Sequence, residues 1–167
     1  MSKVKRIALF GMLTALAFTL SYLETLIPVS VGVPGVKLGL ANLVVVTALY
    51  TLSPFEAFAL SFVRVLLAAL TFGNAYSVLY SLAGSLLSFL VMWAVKKSKL
   101  SIVGVSMLGG VCHNIAQIAV AAVVMSTVRI IYYLPILLVS GLVTGFLTGV
   151  LSKSVCERIK KTDRREL

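Results

Sequence analysis

The chain has 167 residues, 60% of them apolar, and carries 15 Lys and Arg against 5 Asp and Glu, a net charge of +10. Twelve of the cations fall in three blocks, at residues 3–6, 96–99 and 153–165, and long apolar runs in pairs separate the blocks. Positive charge at every second turn is the positive-inside pattern of a membrane protein, and no basic stretch has the interleaved aromatics of a nucleic-acid surface, so nucleic-acid binding is excluded.

Six helices are predicted in chain order, since a spanning helix needs about 20 mostly apolar residues. Residues 7–27 supply the first, stopped by Pro28. The stretch 28–35 holds two Pro and two Gly in eight residues and reads as an irregular cap over the outer half of the bundle. Residues 38–52 form a short second helix ended by Ser53-Pro54, and 55–72 a third, with Pro54 just ahead of its first turn. The fourth, 75–95, ends at the lysine block; the fifth spans 101–128 and the sixth 132–151, followed by a tail over 152–167. The fold class expected is all-α: one polytopic membrane domain over residues 1–167, a bundle of six transmembrane helices with both termini cytoplasmic, in the cell membrane of a prokaryote. Lys3, Lys5 and Arg6, an apolar run and Ala15-Leu16-Ala17 also have the form of a secretory signal. The run continues to Ile27, however, and cleavage would leave five helices and spoil the charge pattern. Cys112 within the fifth helix and Cys156 in the tail reach no oxidising compartment.

Several chemistries are missing. There is no G-x-x-x-x-G-K-[ST] loop for nucleotide. Holding Mg²⁺ on a diphosphate takes several carboxylates, yet Asp occurs once, at Asp163, and three of the five acids lie at positions 157–166. His113 is the single histidine, with no Cys/His cluster for zinc. Neither a metal, a cofactor nor autonomous catalysis is expected.

Ionisable groups within spans are costly and usually line a cavity or pathway. The candidates are Glu24, Arg64 and His113, with Asn42, Asn114 and Gln117 as polar companions and Lys37 at the outer end of the second helix. At 1.5 Å per residue Arg64 lies roughly 13 Å into its helix and His113 about 18 Å into its own, while Glu24 stands about 25 Å along the first. Gln117 shares a face with His113 by its i,i+4 spacing. The polarity therefore gathers in the outer half and suits a pocket open to the outside. The second helix presents its N-terminus there, and with Lys37 and Arg64 it favours a ligand with an anionic group, Arg64 making a fork-like contact. The structural alternatives are a Glu24–Arg64 pair locking two helices, a Lys37 that snorkels to headgroups, and His113, Asn114 and Gln117 as interhelical glue. Gly141, Gly145 and Gly149 on the sixth helix, and Ser77, Ser81 and Ser85 on the fourth, form small-residue stripes expected to pack inside the bundle. Ala8, Gly11 and Ala15 form a stripe on the first helix that is free to meet another membrane protein.

On these residues the chain resembles the heptaprenyl diphosphate synthase component I family, also called the Gx transporter family, over about residues 7–151. The resemblance rests on Leu23-Glu24 followed by Pro28, on the string Pro34-Gly35-Val36-Lys37-Leu38-Gly39-Leu40-Ala41-Asn42, on Val63-Arg64-Val65-Leu66, on His113-Asn114-x-x-Gln117, and on Leu134-Pro135 with the glycines of the sixth helix. The synthase name implies a non-catalytic membrane subunit that binds isoprenoid diphosphates for a soluble prenyl diphosphate synthase. The acidic motifs of a prenyltransferase are missing here. In size, six-helix layout and outward pocket the chain is also similar to the substrate-binding S components of energy-coupling factor transporters. That similarity implies uptake of a small anionic or amphipathic solute, powered by a transmembrane coupling protein with ATPase subunits. It also implies docking through Ala8, Gly11 and Ala15 and a lid over residues 28–37. The docking stripe departs from the usual Ala-x-x-x-Ala, because Met12 stands four residues after Ala8.

Overall fold

The computed structural model describes residues 3–26, 39–72 and 75–165. The expected cap at 28–35 and Lys37 lie outside the described residues. Among those residues all regular structure is helical: α1 (Lys3–Leu26), α2 (Leu40–Thr51), α3 (Pro54–Phe72), α4 (Ala75–Val95), α5 (Ile102–Val124) and α6 (Leu134–Arg165), with a 3-10 turn over Val128–Tyr133. Helices α1, α3, α4, α5 and α6 are long and apolar enough to cross a bilayer. With 12 residues, α2 is about 18 Å long and falls short of a hydrocarbon core of about 30 Å.

Local chemistry explains where the helices begin and end. Ser53 and Glu56 form a reciprocal capping box on α3: the Ser53 N–H donates to Glu56 Oε2 at 2.9 Å and the Glu56 N–H to Ser53 Oγ at 3.3 Å. Arg6 donates to the same carboxylate oxygen from Nη2 at 2.8 Å and Nε at 3.0 Å, tying the start of α1 to the start of α3. The exposed carbonyl end of α2 is met by Lys96, whose ammonium donates to Leu49 O and lies 5.3 Å from the Tyr50 ring centre. Burial, with Lys160 and Lys97 nearby, holds that ammonium below its usual pKa range.

Three boundaries differ from the sequence reading by a turn or more, the first being the start of α1, at Lys3 instead of residue 7. Helix α5 stops at Val124, four residues before the expected 128. The Thr127 N–H donates to Ala122 O at 3.1 Å and the Ser126 N–H to Val123 O at 3.2 Å, with Ser126 left-handed at φ 48°. This is a Schellman end built on Ser instead of Gly. Helix α6 does not end at 151 but runs through the expected tail to Arg165. There Ser152 and Cys156 are buried against α2, Ser152 Oγ donating to Leu43 O at 2.9 Å, while Lys153, Arg158, Lys160 and Lys161 stay exposed.

The tightest packing is glycine on backbone. A Cβ added to Gly145 would fall 2.7 Å from Met107 Cα, one on Gly149 2.8 Å from Val103 Cα, and one on Gly141 2.8 Å from the Gly110 carbonyl oxygen. The α6 stripe is thus used inside the bundle, against α5. Helices α4, α5 and α6 form one densely packed half; α1, α2 and α3 form a looser one, joined to it along α3–α4 and α2–α6. Gly11, by contrast, has nothing within 4 Å of an added Cβ, and Ala8 and Ala15 beside it are exposed. Overpacking a tight interface costs about 1–3 kcal/mol. Gly145→Leu is therefore expected to lower the thermal midpoint of the detergent-purified protein by several degrees, and Gly11→Leu to leave it nearly unmoved. Equal effects would contradict this assignment.

Candidate functional site

A cavity of about 270 Å³ lies between the two halves, lined by residues from all six helices. Arg64 reaches it from the middle of α3. Its Nη1 donates to Ser21 Oγ on α1 at 3.3 Å and its Nη2 to Ser85 Oγ on α4 at 3.2 Å, so one guanidinium bridges both halves. Its Nε–H is buried and has no hydrogen-bond partner among the described residues. A charge kept at this depth is expensive, and two neutral hydroxyls compensate only part of the cost.

Glu24, one turn beyond Ser21, does not form that pair. Its Oε1 accepts the Leu40 N–H, the first amide of α2, at 2.7 Å. The carboxylate thus answers the positive end of the α2 dipole. Gly39 immediately precedes that helix with φ 70°, a left-handed conformation that favours glycine, and Asn42 in the first turn of α2 lines the cavity.

His113 enters from α5 and lies flat against α4 at Gly84, where an added Cβ would sit 2.7 to 2.9 Å from three ring atoms. Asn114 is buried beside it; its Nδ2 donates to Leu137 O at 2.6 Å, which couples α5 to the first turns of α6, and it borders the cavity as well. Gln117, a turn further along α5, is half-buried and is not among the lining residues. The structure therefore brings together Glu24, Asn42, Arg64, His113 and Asn114, leaves Gln117 aside and does not describe Lys37. It adds hydroxyls that the sequence reading passed over: Ser21 and Thr25 on α1, Ser81 and Ser85 on α4, Thr144 and Thr148 on α6. The four-residue spacing of Ser81 and Ser85 was the one available signal, and it had been read as packing. Among the described residues no group of three His, Cys, Asp or Glu gathers to hold a metal ion.

The fold and site define a helical, membrane-type protein with an internal cavity around one bridging arginine. The family model for heptaprenyl diphosphate synthase component I matches residues 13–155, and the chain belongs to that family. No curated protein and no solved structure gives a significant match.

Removing an N-terminal capping acceptor costs a helix about 1 kcal/mol. Glu24→Ala is expected to lower unfolding stability in detergent by that order, and Glu24→Gln, which keeps an acceptor oxygen for Leu40, by clearly less. Equal losses would mean that the capping bond contributes nothing.

Proposed function

We propose that this protein is a non-catalytic membrane subunit that binds an isoprenoid diphosphate in the cavity around Arg64 and presents it to a soluble prenyl diphosphate synthase. The observation that carries the reading is Arg64 itself: a bridging guanidinium whose Nε–H has no partner among the described residues, in a cavity where the one described carboxylate, Glu24, accepts the first amide of α2. In a site of low dielectric a charge-assisted, fork-like contact to a phosphate is far stronger than in water. Asn42 and the hydroxyls of Ser81 and Ser85 supply neutral donors for the remaining oxygens. The family's description supplies the ligand class and the partner enzyme. The chain brings no cluster of carboxylates for Mg²⁺, so bond-making belongs to the partner. The charge blocks at residues 3–6, 96–99 and 153–165 support a prokaryotic cell-membrane location with both termini cytoplasmic and the cavity toward the outer face.

A second reading is a substrate-binding component of an energy-coupling factor transporter, taking up a small anionic solute. The exposed stripe of Ala8, Gly11 and Ala15 favours it, because a coupling protein would approach α1 closely there.

A hydrogen bond to a charged group contributes about 1.5–3 kcal/mol. Arg64→Gln should therefore weaken binding of isopentenyl diphosphate at least about tenfold, with helical content and elution volume retained. Loss of the fold with binding spared would make Arg64 a structural bridge instead. Affinity capture of the tagged protein separates the two readings: a soluble prenyl synthase supports the first, an ATPase module the second.

A further inference from the structure

The side chains around the cavity are divided by chemistry. Among the described residues every apolar one comes from α3 or α4: Val65, Ala68, Ala69 and Phe72 on α3, and Val78 on α4. The walls supplied by α1, α2, α5 and α6 consist of polar residues and glycine alone. The apolar strip also has a direction. It begins beside Arg64, which is level with Ser85 through their hydrogen bond, and climbs α3 through Ala68 and Ala69 to Phe72. At 1.5 Å per residue that is about 12 Å of helix. Val78 stands above Ser85 and Ser81 on the antiparallel α4, so α3 and α4 form one apolar side of the cavity, facing Glu24 and Thr25 of α1 at its upper end. Phe72 closes it, its ring centre 5.8 Å from Phe18 and 5.6 Å from Tyr22.

The middle of the strip is where bulk is missing. Ala68 and Ala69 are the smallest side chains on the cavity face of α3, with the small Ser81 on α4. Leucines at neighbouring α3 positions, Leu66, Leu67 and Leu70, point away and are exposed. The void beside Arg64 exists because two alanines face it.

We infer that the cavity takes a phosphate ester with a short apolar arm, its head on Arg64 and its arm along Ala68 and Ala69 toward Phe72, and that these three residues select the arm. This deepens the reading given under Proposed function and rests on it. A volume of about 270 Å³ lies just under the usual range of about 300–1,000 Å³ for small-molecule pockets. A single isoprene unit fits that description and a long polyprenyl chain does not, so the subunit handles the short building block and not the polymer. Ala68 and Ala69 limit the bulk that lies against α3, and Phe72 limits the length.

The test is calorimetric titration of the full-length, detergent-purified chain with inorganic diphosphate, isopentenyl diphosphate and farnesyl diphosphate. The wild type should bind isopentenyl diphosphate at least about tenfold more tightly than inorganic diphosphate, the value of filling an apolar subsite. Farnesyl diphosphate should gain nothing over the one-unit ester. Ala69→Leu should bring the isopentenyl and inorganic affinities together. Phe72→Ala, which removes bulk instead of adding it, should improve farnesyl diphosphate selectively. If both variants keep the wild-type order of affinities while Arg64→Gln loses all three ligands, the selection by α3 is overturned and the diphosphate reading survives. If the wild type binds none of the three, or Arg64→Gln binds them unchanged, both fall together.

Discussion

Backbone lying directly on backbone between α5 and α6 is the contact on which the rest of this molecule depends. Apolar side chains gain little by meeting one another inside a bilayer, since lipid tails are equally apolar, so close van der Waals approach has to hold helices together. Gly110 against Gly141, and Gly145 and Gly149 against the α5 chain, give that approach. Gly84 of α4 meets the His113 ring of α5, and Gly109 of α5 meets Met92 of α4, which brings α4 in against α5. One half of the bundle is thereby made dense. Among the described residues the other half, α1 to α3, has no comparable glycine seam toward it, and the cavity lies between the two.

Filling that gap with charge gives the site its character. Two opposite charges enter from neighbouring helices, and they are kept apart by different partners. Glu24 is taken up by the first amide of α2, and Arg64 by two serine hydroxyls. Had the two paired, the cavity would be electrically closed. Instead its base presents a guanidinium whose Nε–H has no partner among the described residues. Among the described residues only α3 and α4 contribute apolar side chains to the walls, so the cavity has a charged base and a dry side. The ligand proposed above, a diphosphate with an isoprene arm, has the same two-sided chemistry.

Much of this architecture was legible in the sequence because bilayer rules are coarse and act on long windows. Run length and charge blocks located the apolar helices, and the rarity of ionisable groups within them picked out Glu24, Arg64 and His113. Boundaries were harder. The end of α5 was hidden because Ser126 takes the left-handed position where a glycine would have announced it. The continuation of α6 was hidden because Lys, Arg and Glu suit an exposed helix as well as a loose tail, and the buried side is marked only by Ser152 and Cys156. The cavity hydroxyls were hidden for a related reason. Ser21, Thr144 and Thr148 each donate to a carbonyl of their own helix, as Ser and Thr do at many positions without function. Only the fold shows that these same residues face one space.

The most direct measurement is native mass spectrometry of the protein purified in mild detergent, wild type beside Arg64→Gln. The account predicts a retained phosphorylated isoprenoid of low mass on the wild type and its absence from the variant, with both proteins folded. A ligand retained equally by the two, or one carrying no phosphate, would contradict it.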